Sequence, residues 1–125
     1  MWIIDPRVGL LSVVVADDPI TGRPSADRIM IRSRRTRHLE NLITICPALA
    51  GAKIEAGRED LDYPVRLVVD RAVFVEVMAE LGRSLRHRNV KSAAHANEKA
   101  LGSDFVAAMH RVHAALARIR DEPAD

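Results

Sequence analysis

Between Asp62 and Leu85 the spacing of the apolar residues changes at a single acidic position. Tyr63, Val65, Leu67 and Val69 alternate with Asp62, Pro64, Arg66 and Val68, the period of a strand with one buried face. Beyond Asp70, the residues Val73, Phe74, Val77, Met78, Leu81 and Leu85 recur at helical spacing, and Asp70 is placed to cap that helix. A strand that feeds straight into an amphipathic helix commits the chain to a sheet-and-helix packing. Each piece has one apolar face that a second layer must bury.

The remaining elements are read around this unit. Val8 to Ala16 is rich in β-branched residues and apolar on both alternations, as expected of a strand well inside a sheet. Asp17 to Ala26, with Pro19, Gly22 and Pro24, reads as a loop. In Asp27 to Arg34, Ile29 and Ile31 alternate with Arg28, Met30, Arg32 and Arg34, which predicts a second strand antiparallel to the first. Thr36 is placed to cap a helix carrying Leu39, Leu42, Ile43 and Cys46, stopped by Pro47. Ala52 to Ala56, between Gly51 and Gly57, reads as a brief edge strand, and Gly82 lies at or near the end of the helix that follows Asp70. Arg83 to Ala100 has no clear apolar face and reads as a polar, partly helical connection. Ser103 is placed to cap a last helix with the stripe Phe105, Met109, Val112, Leu116 and Ile119, and Asp121 to Asp125 reads as a frayed tail.

The order is therefore β-β-α-β-β-α-α. It predicts one α+β domain over residues 1–125, an antiparallel or mixed sheet of about four strands with helices on one face. The middle of the chain is compatible with a ferredoxin-like arrangement. With Ile29, Ile31, Ile54, Val65 and Leu67 turned toward the helices, the opposite face carries Arg28, Arg32, Arg34, Lys53, Glu55 and Arg66.

Composition narrows the classes. The chain has 125 residues, enough to bury roughly two-thirds of its unfolded surface without a covalent staple. One cysteine, Cys46, excludes an internal disulfide and a CxxC site, which fits a reducing cytoplasm. The opening Met1-Trp2-Ile3-Ile4-Asp5-Pro6 lacks a basic leader pattern, and the longest apolar run, Leu10 to Ala16, falls far short of the roughly 20 residues of a membrane helix. A cytoplasmic protein without a membrane partner is expected. Nineteen Lys and Arg against seventeen Asp and Glu leave a net charge of +2, so the distribution of charge matters more than its total.

Four short motifs, Met1-Trp2, Gly9-Leu10-Leu11-Ser12, Asp62-Tyr63-Pro64-Val65-Arg66 and Asn89-Val90-Lys91, are spread over most of the chain. In them the chain resembles a group of small uncharacterised bacterial proteins with a Met-Trp start, a Gly-x-x-Ser, an Asp-Tyr-x-x-Arg strand and a later Asn-x-Lys. The aromatic residues that this group often places after Asn-x-Lys and in the last helix are absent here, where His110, Val112 and His113 stand instead. The resemblance implies a compact α+β domain and carries no activity with it.

No phosphate-binding glycine loop, nucleophile elbow or paired-carboxylate motif occurs. His110 and His113, three apart on the last helix, are too few for a metal site by themselves, and no cofactor is expected. Cys46 lies on an apolar stripe at a helix C-terminus, which favours burial over a reactive thiolate. Asp62, Tyr63 and Arg66 mark either a polar pocket, with Tyr63 turned inward, or a strand-opening turn with an Arg66–Glu55 pair across strands.

The strongest functional signal is basic. Arg32, Arg34, Arg35, Arg37 and His38 form one cluster, with Arg83, Arg86, His87, Arg88 and Lys91 in a second, and Arg66 belongs to the same sheet face as Arg32. The candidate binding residues are Arg32, Arg34, Arg35, Arg37, Arg66, Arg86, Arg88 and Lys91. The leading expectation is a non-enzymatic interaction module that presents an arginine-rich sheet face or edge to an acidic protein partner or to a second copy. A homodimer would also cover Met30 and Val68. The alternative is sequence-independent nucleic-acid binding through phosphates, with no aromatic residue among the arginines to stack on bases. A third reading, an enzyme, would use Asp62, Tyr63, His87 and Lys91.

Overall fold

The computed structural model describes residues 1–123 and is an α+β fold in which every strand pairing is antiparallel. The strands are β1 (Trp2–Asp5), β2 (Gly9–Asp17), β3 (Pro24–Ser33), β4 (Glu55–Ala56) and β5 (Val65–Asp70), in the sheet order β1-β2-β3-β5-β4. The helices are α1 (Thr36–Ile45), α2 (Arg71–Arg83), α3 (Val90–Ala96), α4 (Glu98–Leu101) and α5 (Ser103–Leu116), with a 3-10 turn at Pro47–Leu49. Because β5 inserts between β3 and β4, the segment β3-α1-β4-β5-α2 has the split β-α-β order of a ferredoxin-like fold. Beside β3, β2 takes the place of that fold's last strand.

The expected switch near Asp70 is present, since β5 ends and α2 begins there. Ile29, Ile31, Val65 and Leu67 form the buried side of the sheet with Leu11 and Val13, and Leu39 and Leu42 of α1, Cys46 just past its end, and Val77 and Leu81 of α2 pack down on them. Ile54 is packed against the same core. A second, smaller core joins Ala94, Leu101, Val106 and Met109, so the connection after α2 is two short helices with buried anchors. The periodicity there is hidden because alanines and one leucine do the packing.

Several expectations need correction. The sheet has five strands, because Trp2–Asp5 adds an edge strand before the Pro6 turn. β5 starts at Val65 rather than Asp62, since Pro64 has no N–H to give to a ladder. Thr36 and Ser103 are the first helical residues, not caps; Arg35 and Gly102 hold the cap positions without a side-chain cap bond. Asp70 occupies its predicted cap position, also without such a bond, whereas Asn89 Oδ1 does accept from Ser92 N–H. Leu85 lies past the end of α2 and is half-exposed, and Met78 points to solvent. The stripe of α5 is buried only at Met109; Val112, Leu116 and Ile119 are exposed, while Val106, outside the stripe, is buried. The tail from Asp121 reaches Ala124 and Asp125, which lie outside the described residues.

A polar knot secures the β1–β2 turn. The Asp5 carboxylate accepts from Arg7 Nε at 3.0 Å and Nη2 at 2.8 Å, while the same guanidinium donates to Ser84 Oγ and to the Leu81 carbonyl at the end of α2. Burial pushes the Asp5 carboxyl up, but the Arg7 hydrogen bonds outweigh it and hold it below the usual carboxylate range. Among the described residues no helix is long and apolar enough to cross a membrane.

Candidate functional site

The helices α1 and α2 cover one side of the sheet, and strand alternation turns a different set of side chains to the other. Strand register lines them up in rows. Trp2 stands opposite Ser12, Ser12 opposite Arg32, Arg32 opposite Arg66, and Arg66 opposite Glu55. The neighbouring row is apolar, Val14 opposite Met30 and Met30 opposite Val68. Met30 and Val68 shield each other enough to be half-buried, while Trp2 is 74% exposed.

Arg32 is held from two sides. Its Nη2 donates to Ser12 Oγ at 2.7 Å, and its guanidinium carbon lies 4.8 Å from the centre of the Tyr63 ring. Its Nε is buried and has no hydrogen-bond partner. Tyr63 therefore lies on the outer face, against the expectation that it turns inward, because the strand's alternation starts only after Pro64. Neither Arg32 nor Arg66 is among the ion pairs formed by the described residues, and the register places Glu55 across from Arg66 without a salt bridge. Two guanidinium groups on directly opposed residues repel, and Glu55, on the other side of Arg66, offsets this without closing an ion pair. Met30, Arg32, Leu61, Asp62, Tyr63 and Arg66 line a cleft of about 360 Å³ at this point. A carboxylate or phosphate oxygen in this cleft is the chemistry that would relieve the repulsion between the two guanidinium groups.

The other candidate residues fall into separate places. Arg34 is exposed and donates from Nη1 to the Asp62 carbonyl at 2.6 Å, which ties the end of β3 to the turn before β5. Arg35 is spent on structure: it pairs with the Asp104 carboxylate and donates to the Leu101 carbonyl, joining α1 to the start of α5. Arg37 is exposed on α1. Arg86 folds back on the carbonyls of Arg83 and Leu85 and lines a hollow with Pro6, Arg7 and His87. Arg88 is exposed. Lys91 edges an apolar trough formed by Ile4, Val90, Met109, Val112 and Leu116. That trough shares Ile4, Met109 and Val112 with a second cleft bordered by Arg34, Arg35 and Arg111. Arg32 and Arg66 thus come together on the open sheet face, while Arg86 belongs to the β1–β2 turn. His87 and Lys91 line hollows distinct from the cleft that holds Asp62 and Tyr63.

Sequence reasoning missed Trp2 as part of the face. Its signal was there in Trp2-Ile3-Ile4, where Ile3 packs on the core and its neighbours do not. The orphaned Nε of Arg32 depends on register and neighbours and has no sequence signal. No family model, curated protein or solved structure matches this chain.

Proposed function

We propose that this chain is a protein-interaction domain that docks an acidic segment of a partner protein on the open face of its sheet. The observation that carries the reading is the opposed pair Arg32 and Arg66, neither of which forms an ion pair among the described residues although Glu55 stands opposite Arg66 and Asp62 lines the same cleft. A carboxylate from a partner supplies what this pair lacks, as a charge-assisted hydrogen bond. The surroundings support a protein ligand. Trp2, Tyr63, Met30 and the arginines are the residue types enriched where proteins meet, and the Val14–Met30–Val68 row gives apolar contact beside the charges. Separation of Arg86 from this face weighs against phosphate-tracking nucleic-acid binding, which needs cations along a continuous path.

The test uses Trp2, the single tryptophan, as its reporter. A short peptide alternating Glu and Leu, its Lys-for-Glu counterpart and a duplex oligonucleotide are titrated into the full chain and into an Arg32→Ala/Arg66→Ala variant. The expected result is binding of the acidic peptide alone, weakened about tenfold or more by the double variant. Equal binding by the variant overturns the reading. So does preferential binding of the duplex with a steep salt dependence, which is the phosphate-binding outcome. Light scattering across a dilution series separates the remaining case: a dimer abolished by the double variant replaces the acidic partner with a second copy.

A further inference from the structure

His95 near the end of α3 and His110 on α5 face each other across the helix pair. Their Nε2 atoms are 2.9 Å apart, with ring centres at 4.8 Å and planes inclined by 45°. His95 is exposed and His110 is half-buried, so an ion reaches the pair directly from solvent. Among the described residues neither ring makes another hydrogen bond. Read as a hydrogen bond, the contact needs one ring to donate and is worth little at a wet surface.

Read as a chelate, the same distance is informative. Two imidazole nitrogens bound at about 2.0–2.1 Å on adjacent positions of a square-planar or octahedral ion stand roughly 2.9 Å apart. A tetrahedral ion would spread them to about 3.3–3.4 Å. We propose that His95 and His110 form a bidentate site for a divalent copper or nickel ion, bridging α3 and α5, with water in the remaining positions. Imidazole is a favoured ligand of both metals, and their square geometries match the observed separation.

The site has two protein ligands. Among the described residues no group of three or more His, Cys, Asp or Glu side chains converges. His113 is exposed on the last turn of α5 and edges the neighbouring trough instead. The ion would add a link between α3 and α5, which otherwise meet through the small core of Ala94, Leu101, Val106 and Met109. Binding to the folded pair and not to the separated helices raises stability by mass action. This inference is independent of the acidic-partner reading, since neither histidine is on the sheet.

The experiment titrates Cu2+ and Ni2+ into the full chain and into His95→Ala, His110→Ala and His113→Ala. Affinity is read by calorimetry, the copper ligands by the nitrogen couplings of electron paramagnetic resonance, and stability by Tm. The expected result is one ion per chain with two coordinated imidazoles and a higher Tm. His95→Ala and His110→Ala lose the Tm rise and about tenfold or more in affinity, and His113→Ala changes neither. Wild-type affinity in His95→Ala, a single coordinated imidazole in the unsubstituted chain, or a loss confined to His113→Ala overturns the proposal.

Discussion

The imidazole of His38 fills the space where a side chain on Gly9 would begin. A Cβ on Gly9 would fall 2.4 Å from both Cγ and Nδ1 of that ring, and the backbone of Gly9 has φ +125°. The first residue of β2 is thereby pressed against α1 in a way that only glycine permits. Gly9→Ala is expected to cost roughly 2–5 kcal/mol, from backbone strain together with overlap in a fully buried place. Gly51→Ala is the control, since its φ is +78° with open space around it, and strain alone predicts about 1–2 kcal/mol. Urea midpoints of the two variants decide the matter; equal losses would mean that the ring readily moves aside.

His38 itself makes stability depend on pH. Its Nδ1 accepts from Leu10 N–H at 3.4 Å and its Nε2 donates to the Leu101 carbonyl at 3.0 Å, which together require the neutral ring with its proton on Nε2. Burial is the largest influence and lowers its pKa; the Leu101 carbonyl opposes this, Arg35 adds to the lowering and Asp104 opposes it, and the net result lies below 6.5. In that case the unfolded chain takes up the proton first. The stabilising contribution is complete above about pH 6.5 and is lost as pH falls from there toward the folded-state value, below which it flattens. Unfolding free energy measured from about pH 7.5 to 5 should fall in the unsubstituted chain and fall less steeply in His38→Gln, whatever the variant's starting stability. An unchanged slope would remove His38 as the source.

Much of the sheet was legible because alternation is a one-dimensional signal. Ile29, Ile31, Val65 and Leu67 went to the core, and Arg28, Arg32 and Arg66 to the other face, as period two requires. Errors arose where chemistry interrupted the period. Pro64 delays β5 and puts Tyr63 beside Arg32, and Pro6 cuts β1 so short that its four residues carry little pattern. The stripe of α5 was legible as a helix but not as a half-buried one, because α3 and α4 supply buried partners only as far as Met109. Spacing along α5 pairs His110 with His113, whereas the fold pairs it with His95, fifteen residues away on another helix. Such a contact belongs to the packing of two elements and leaves no trace in either one.

The opposed arginines give the sharpest test of why the open face should want an anion. Arg32 and Arg66 share the face but not the same support: the Arg32 side chain bonds Ser12 and lies over Tyr63, whereas the Arg66 side chain makes no hydrogen bond to a described residue. Arg66→Gln removes a like charge from across the ladder and should raise stability by about 0.2–1 kcal/mol at low salt. Screening should erase most of that gain by about 1 M salt, where the Debye length is near 3 Å. Arg32→Gln relieves the same repulsion but gives up the Ser12 hydrogen bond and the ring contact, so a net loss of about 1 kcal/mol is expected. Urea midpoints at both salt concentrations compare the two variants directly. Should Arg66→Gln instead lower stability at low salt, the pair is not in repulsion, and the argument that this face awaits a carboxylate loses its electrostatic basis.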